Sequence, residues 1–241
     1  MRLLSAVLLI AITVAPSYAK DWKITRHVTT LGNSWDETIY VSGSKSRMES
    51  TDPEEYDTLI FDCESKQRFE LKRSSKSYYP FRLGAEQDEV TENDVSPTSE
   101  FFLDVVVTSK ATGRKKRVLG YEASEVVNEV KVIERGKSAP SPVRDTTTVG
   151  WYIDLPVQLE CGEKPKSQTR YFRSAPNLPR FEMRLKQVGS ELVRFPVELR
   201  QKRPIEGGSI EERMEVTWIE ETVVDPAIFE VPKDYKRLTS P

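Results

Sequence analysis

Apolar and polar side chains alternate at period two along most of this chain, in runs rich in β-branched and aromatic residues and broken by short polar turns. Half-buried antiparallel strands carry this pattern, because successive side chains on a strand point to opposite faces. The runs predict strands over Trp22 to Thr30 and from Thr38 to about Glu49, with Asn33-Ser34-Trp35-Asp36 as the turn between them. Tyr56 to Cys63 places Leu59, Phe61 and Cys63 on one face; Arg68 to Lys72 returns after Glu64-Ser65-Lys66, and Ser77 to Phe81 follows the polar tip Arg73-Ser74-Ser75-Lys76. A strand from Phe101 to Thr108 turns at Ala111-Thr112-Gly113-Arg114 and is answered by Arg117 to Val127. Thr146 to Leu155, Phe181 to Val188, Leu192 to Lys202 and Glu211 to Val223 complete the set, with turns at Gly189-Ser190 and Gly207-Gly208. The stretch from Glu160 to Pro179 reads as irregular, apart from a short helix or edge strand over Lys166 to Phe172. Gly84 to Glu100 is an acidic connection, and Gly136 to Asp145, with Pro140 and Pro142, is a second loop. Sequential strands pair directly, so the expected fold is mainly β, a meander of hairpins in one antiparallel domain over residues 20–241.

The amino-terminal segment departs from that alternation. Leu3 to Ala15 is apolar except for Ser5 and Thr13, follows Arg2, and leads to Pro16-Ser17-Tyr18-Ala19. An early positive charge, an apolar core of about a dozen residues and small side chains at the end are the parts of a signal peptide. Residues 1–19 are therefore expected to be a signal peptide cleaved after Ala19, releasing a soluble product with no stable membrane anchor. A membrane-spanning helix needs about 20 apolar residues, and Lys20, Asp21 and Lys23 interrupt too soon. No cysteine near the cleavage point offers a lipid attachment.

Charge changes the picture little. The 36 basic and 38 acidic residues are interspersed, which gives solubility without a preference for nucleic acid or anionic membrane. The run Arg114-Lys115-Lys116-Arg117 reads as a solvated hairpin tip, because it lacks the interleaved aromatics on which bases stack. Export places Cys63 and Cys161 in an oxidising compartment, where they can pair. The bridge closes a loop of about 100 residues only if the Cα atoms lie within about 7 Å, and two free thiols are the alternative. With one histidine and two cysteines no structural zinc pattern is available, and no cofactor is expected.

Catalytic patterns are missing. His27 lies on a strand beside Arg26 and Val28, with no Gly-x-Ser-x-Gly nucleophile elbow in the chain, and a triad needs nucleophile, base and orienting carboxylate together. Ser42-Gly43-Ser44-Lys45 matches a bare Ser-x-x-Lys, but that lysine works from a buried helix and its companion motifs are missing. Arg135-Gly136-Lys137-Ser138 lacks the earlier glycine of a phosphate loop. Carboxylates are plentiful, yet none is singled out as a glycosidase pair. The chain is expected not to be an enzyme.

Several motifs carry a family resemblance. Gly43-Ser44-Lys45-Ser46-Arg47-Met48-Glu49, then Thr58-Leu59-Ile60-Phe61-Asp62, then Phe69-Glu70-Leu71 returning to Ser77-Tyr78-Tyr79 are similar to exported bacterial domains grouped around the Lol lipoprotein carriers and receptors, most of all an uncharacterised branch of that superfamily. Arg117-Val118-Leu119-Gly120-Tyr121-Glu122-Ala123 resembles its central strand, and Asp225-Pro226-Ala227-Ile228-Phe229-Glu230-Val231-Pro232 with Asp234-Tyr235 its closing segment. The resemblance implies an incomplete barrel: one curved antiparallel sheet with short helices or loops over an apolar concave face. The chain departs from the carriers in having no clear covering helix and in the charge of its loops at 84–100 and 136–145.

A concave apolar face not filled by its own core is a ligand site, and each buried CH₂ of a bound chain contributes about 0.8 kcal/mol. By alternation, the residues expected on that face are Leu59, Phe61, Phe69, Leu71, Leu119, Tyr121, Trp151, Ile153, Met214, Val216 and Trp218. Ordinary core packing is the alternative for each. Two functions follow: an exported periplasmic or envelope binding protein for a lipid, an acyl chain, a lipidated protein or an apolar peptide, or a non-enzymatic interaction or regulatory module whose sheet is filled by its own side chains. An open apolar cavity distinguishes the first, a filled sheet the second.

Overall fold

The computed structural model describes residues 20–52, 57–83, 101–136, 144–157, 159, 161, 167–172, 181–189, 194–205 and 208–239; residues 1–19, the acidic connection at 84–100, and most of the stretches 136–145 and 160–179 lie outside them. Among the described residues nearly all of the regular structure is strand, with nearly no helix, in one large curved sheet that does not close into a barrel. The strands are β1 (Asp21–Thr30), β2 (Asn33–Ser42), β3 (Lys45–Ser50), β4 (Thr58–Asp62), β5 (Gln67–Lys72), β6 (Ser77–Arg82), β7 (Phe101–Val118), β8 (Tyr121–Gly136), β9 (Arg144–Ile153), β10 (Ser167–Phe172), β11 (Phe181–Gly189), β12 (Phe195–Ile205), β13 (Gly208–Thr222) and β14 (Lys236–Arg237). They lie in the order β10-β11-β7-β8-β9-β12-β13-β1-β2-β3-β4-β5-β6-β14. Every described ladder is antiparallel except β11 on β7 and β14 on β6.

Three turns fall elsewhere than the polar residues predict. Thr30 pairs with Asn33, so Leu31-Gly32 is the hairpin turn and Asn33-Ser34-Trp35-Asp36 belongs to β2. Ser42 pairs with Lys45, which splits the expected second strand at Gly43-Ser44. Val118 pairs with Tyr121 across Leu119-Gly120. Both Leu-Gly turns hold two successive positive φ angles, 50° and 83° at Leu31-Gly32 and 50° and 86° at Leu119-Gly120. Mirror-image two-residue turns need this geometry to match strand twist, and glycine at the second position supplies it.

The predicted turn at Ala111-Thr112-Gly113-Arg114 is a bulge inside the long β7. Ala111 pairs with Val126 and Lys115 with Ser124, leaving three residues opposite Glu125. Glu125 is buried, and a buried carboxylate must find donors. The bulge supplies them: the Thr112 hydroxyl donates to Oε2 at 2.8 Å, and Arg114 Nη1 lies 3.2 Å from Oε1. The basic run is therefore part of a strand, with Lys115 on Glu122 at 2.8 Å, Lys116 on Glu198 at 2.6 Å, and Arg114 and Lys116 over the Trp151 ring at 5.6 and 4.4 Å.

Two apolar clusters lie in the fold. The larger gathers Trp22 and Ile24 from β1, Ile39 and Val41 from β2, Ala123 from β8, Ile153 from β9, Phe195 and Val197 from β12, Met214 and Val216 from β13, and Leu155. The smaller joins Ile60 and Leu71 to Val224 and Phe229 of the carboxyl-terminal segment. That segment crosses the outer side of β3 to β6 through a 3₁₀ turn over Pro226–Phe229, capped by Asp225, whose Oδ1 accepts from Ala227 N–H at 2.9 Å. Arg47 Nη1 donates to Ile228 O at 2.7 Å, and Lys236 N–H to Lys76 O at 2.8 Å, so the segment ends as the two-residue strand β14 on the β6 edge.

The chain leaving β9 crosses the inside of the curl. β9 and β3 are five strand spacings apart in the sheet order, yet within six residues of Ile153 the chain reaches β3, where Leu159 O accepts from Ser46 Oγ at 2.6 Å.

Candidate binding surfaces

This crossing strap carries Leu155, Val157 and Leu159, all packed on the larger cluster. It ends at Cys161, which is bonded to Cys63 just past β4 with the Cα atoms 4.9 Å apart. Asp62, beside Cys63, opens the turn by accepting from Glu64 N–H and Ser65 N–H, both at 3.1 Å, with Lys45 Nζ at 3.4 Å. Burial pushes the Asp62 carboxyl up, but the Ser65 hydrogen bonds and the Lys45 charge outweigh it and hold the group below the usual carboxylate range.

The eleven residues that alternation assigns to one face do not share it. Ile153, Met214 and Val216 are buried in the larger cluster, and Tyr121 and Trp151 pack partly on it. Leu59 and Phe61 pair with Met48 and Ser46, on the inner side, and are half-buried. Phe69 pairs with Ile60 and, with Leu71, belongs to the smaller cluster outside. Leu119 is in a turn and 43% exposed.

Trp218 is 57% exposed because of a bulge. Thr25 pairs with Trp218 but Arg26 with Val216, leaving Thr217 unpaired. One extra residue reverses the side-chain phase along a strand, so Trp218 faces away from Met214 and Val216.

Inside the curl, towards the β1–β2 turn, apolar packing gives way to an ion pair. Arg26 and Glu37 bond directly; Trp35 Nε1 donates to Glu37 Oε1 at 3.0 Å, and Arg26 Nη2 lies 3.3 Å from Met48 Sδ. Outside, Lys23, Tyr40, Arg47, Glu49, Thr222, Val223, Val224, Asp225 and Ile228 line a cleft of about 290 Å³. Lys23 Nζ is 5.9 Å from the Tyr40 ring centroid, while Arg47 is held by Glu49 at 2.8 Å. The walls carry both signs of charge. Further along the segment, the hydrogen bond between Lys76 and Asp234 at 2.8 Å holds the ammonium above and the carboxyl below their ordinary ranges.

No protein-family model and no curated protein matches the chain. Among solved structures it is similar to an uncharacterized conserved protein from Thermus thermophilus, at 10% identity and a TM-score of 0.45, over 90% of this chain and 89% of that one. A putative outer membrane lipoprotein-sorting protein domain from Vibrio parahaemolyticus shares 8% identity at a TM-score of 0.34, over 89% and 90%. The MucA/MucB complex of Pseudomonas aeruginosa gives 11% identity and a TM-score of 0.28, over 86% and 95%. At these identities and TM-scores the likenesses are distant.

Sequence reasoning missed the strap and the outer cleft. The alternation Leu155, Val157, Leu159 followed by Cys161 was a usable signal for the strap. Pro156 hid it by marking the end of a strand. Nothing local signals the cleft, because it joins β1, β2 and β3 to a segment near the other end of the chain.

Proposed function

We propose that this protein is exported to the bacterial envelope, catalyses no reaction, and in its disulfide-bonded form is an interaction module that meets a protein partner on the outside of its sheet. The observation that carries this reading is the strap: Leu155, Val157 and Leu159 occupy the inner side of the curl, where an acyl chain would have to lie. The outer cleft, with Lys23, Arg47, Glu49 and Asp225, suits the mixed polar groups of a polypeptide better than hydrocarbon. The signal-type segment and the Cys63–Cys161 bridge both support export, since disulfides persist in oxidising compartments.

Native mass spectrometry of the protein purified from the envelope without reductant tests the reading. The expected species is the bare oxidised chain. An acyl chain that co-purifies stoichiometrically would overturn it in favour of a lipid-binding sheet.

A further inference from the structure

The strap is weakly attached apart from its latch. Its apolar side chains fall at every second position on either side of a γ-turn at Pro156, while Asp154 and Pro156 are exposed. Val157 N–H bonds to Leu155 O within the strap itself, and among the described residues no backbone hydrogen bond joins the strap to the sheet. The Ser46 hydroxyl and the disulfide are its polar and covalent ties.

The sheet face beneath holds an unspent donor. Trp22 pairs with Val41, and Val41 with Ser46, so Trp22 and Ser46 share a face two strands apart. Trp22 is 7% exposed, and its indole N–H is buried with no hydrogen-bond partner among the described residues. A buried unmade donor costs about 1 to 3 kcal/mol, and native structures keep few of them.

We propose that the strap is a built-in occupant of a peptide-binding face, latched by Cys63–Cys161, and that reduction of the latch lets an extended polypeptide with apolar residues at alternate positions take its place. In the step itself, a thiolate of a dithiol reductant attacks one cysteine sulfur to form a mixed disulfide, and the second thiol of the reductant displaces it. Two electrons and two protons reach the protein, leaving two cysteine thiols and a cyclic disulfide on the reductant. Both cysteines are half-buried rather than enclosed. The incoming chain places its apolar side chains where Leu155, Val157 and Leu159 lay, and its carbonyls accept from the Ser46 hydroxyl and the Trp22 indole. The proposal rests on the filled inner face of the oxidised form.

The probe is a fluorescein-labelled peptide copying residues 154–160, titrated by fluorescence anisotropy into the full chain from Lys20, oxidised or reduced with dithiothreitol, with circular dichroism recorded in parallel. The expected result is binding at least tenfold tighter to the reduced form with the strand signal retained. Val157→Glu, which loosens the strap with the disulfide intact, raises peptide affinity of the oxidised form. Trp22→Phe weakens binding to the reduced form severalfold and leaves the oxidised form no less stable. Equal affinity in both redox states overturns the proposal. So does loss of the strand signal on reduction, which makes the bridge a structural staple, and so does binding of laurate in place of the peptide. The native mass spectrum of the oxidised protein reads the preceding proposal separately.

Discussion

Asp62 shows how a single exposed-looking turn residue reports on the latch. It accepts two backbone N–H groups and faces Lys45, and its folded carboxyl lies below the ordinary aspartate range. A carboxylate whose folded value is depressed adds stability that is present above its unfolded value and lost as pH falls through the folded one. The stability of the wild type therefore falls on acidification below about pH 4 more steeply than that of Asp62→Asn, which keeps an acceptor oxygen without the charge. Urea denaturation at pH 5 and pH 2.5 measures this, and parallel losses in the two proteins would refute it. In sequence the same residue read as part of the strand from Tyr56 to Cys63, just before the polar turn Glu64-Ser65-Lys66. Its charge pairing with Lys45 needed the β3–β4 register, which no local pattern states. Trp218 is the opposite case: the alternation through Met214 and Val216 was real, and one bulged residue, Thr217, reversed it.

The carboxyl-terminal segment is the element whose role is easiest to remove. Ile60 and Leu71 are fully buried on the outer side of the sheet in one cluster with Val224 and Phe229 of this segment. Ile60→Ala should cost about 2 to 5 kcal/mol and Phe229→Ala about 3 to 5 kcal/mol, the usual range for large core truncations. Because the two side chains share one small cluster, the double variant should lose less than the sum. Denaturant midpoints of the four proteins form the double-mutant cycle, and strict additivity would show that the segment does not pack as described. Elements with strong alternation, such as β1, β5, β6 and β11, were readable to within a residue or two. The closing segment from Asp225 to Pro232 was marked in sequence only by resemblance, and the 3₁₀ turn within it, capped by Asp225 with proline following, went unread. Bulges were not readable, since the Thr112-Gly113-Arg114 bulge has the composition of a hairpin turn. Only its buried partner, Glu125, distinguishes the two.

At the scale of the whole molecule, the ladder between β1 and β13 sets the architecture. It pairs Asp21 with Thr222 and places the first and last long strands side by side in the middle of the sheet. The hairpin meander was legible from β1 to β6 and from β7 to β9, where neighbouring strands carry their own turns; the expectation that sequential strands pair directly fails after β6, β9 and β11, which lie beside β14, β12 and β7 instead. The curl and the strap across it were not legible, because they depend on which strands meet last and on a crossing from β9 to β3. The order of strands also fixes where the sheet opens first. β1, β13 and β12 have a ladder on both sides and the larger cluster beneath them, whereas among the described residues β10 is an edge strand joined only to β11. Local opening free energies run from near zero at fraying edges to the global value in a core. Native-state hydrogen exchange should therefore protect the amides of β1, β12 and β13 most strongly, with β10 exchanging at least a hundredfold faster. The opposite edge should be slower than β10, because β14 and the Lys76–Asp234 tie cover part of β6. Equal protection at β10 and β1 would mean that another part of the molecule closes that edge, and would move the open end of the sheet away from β10.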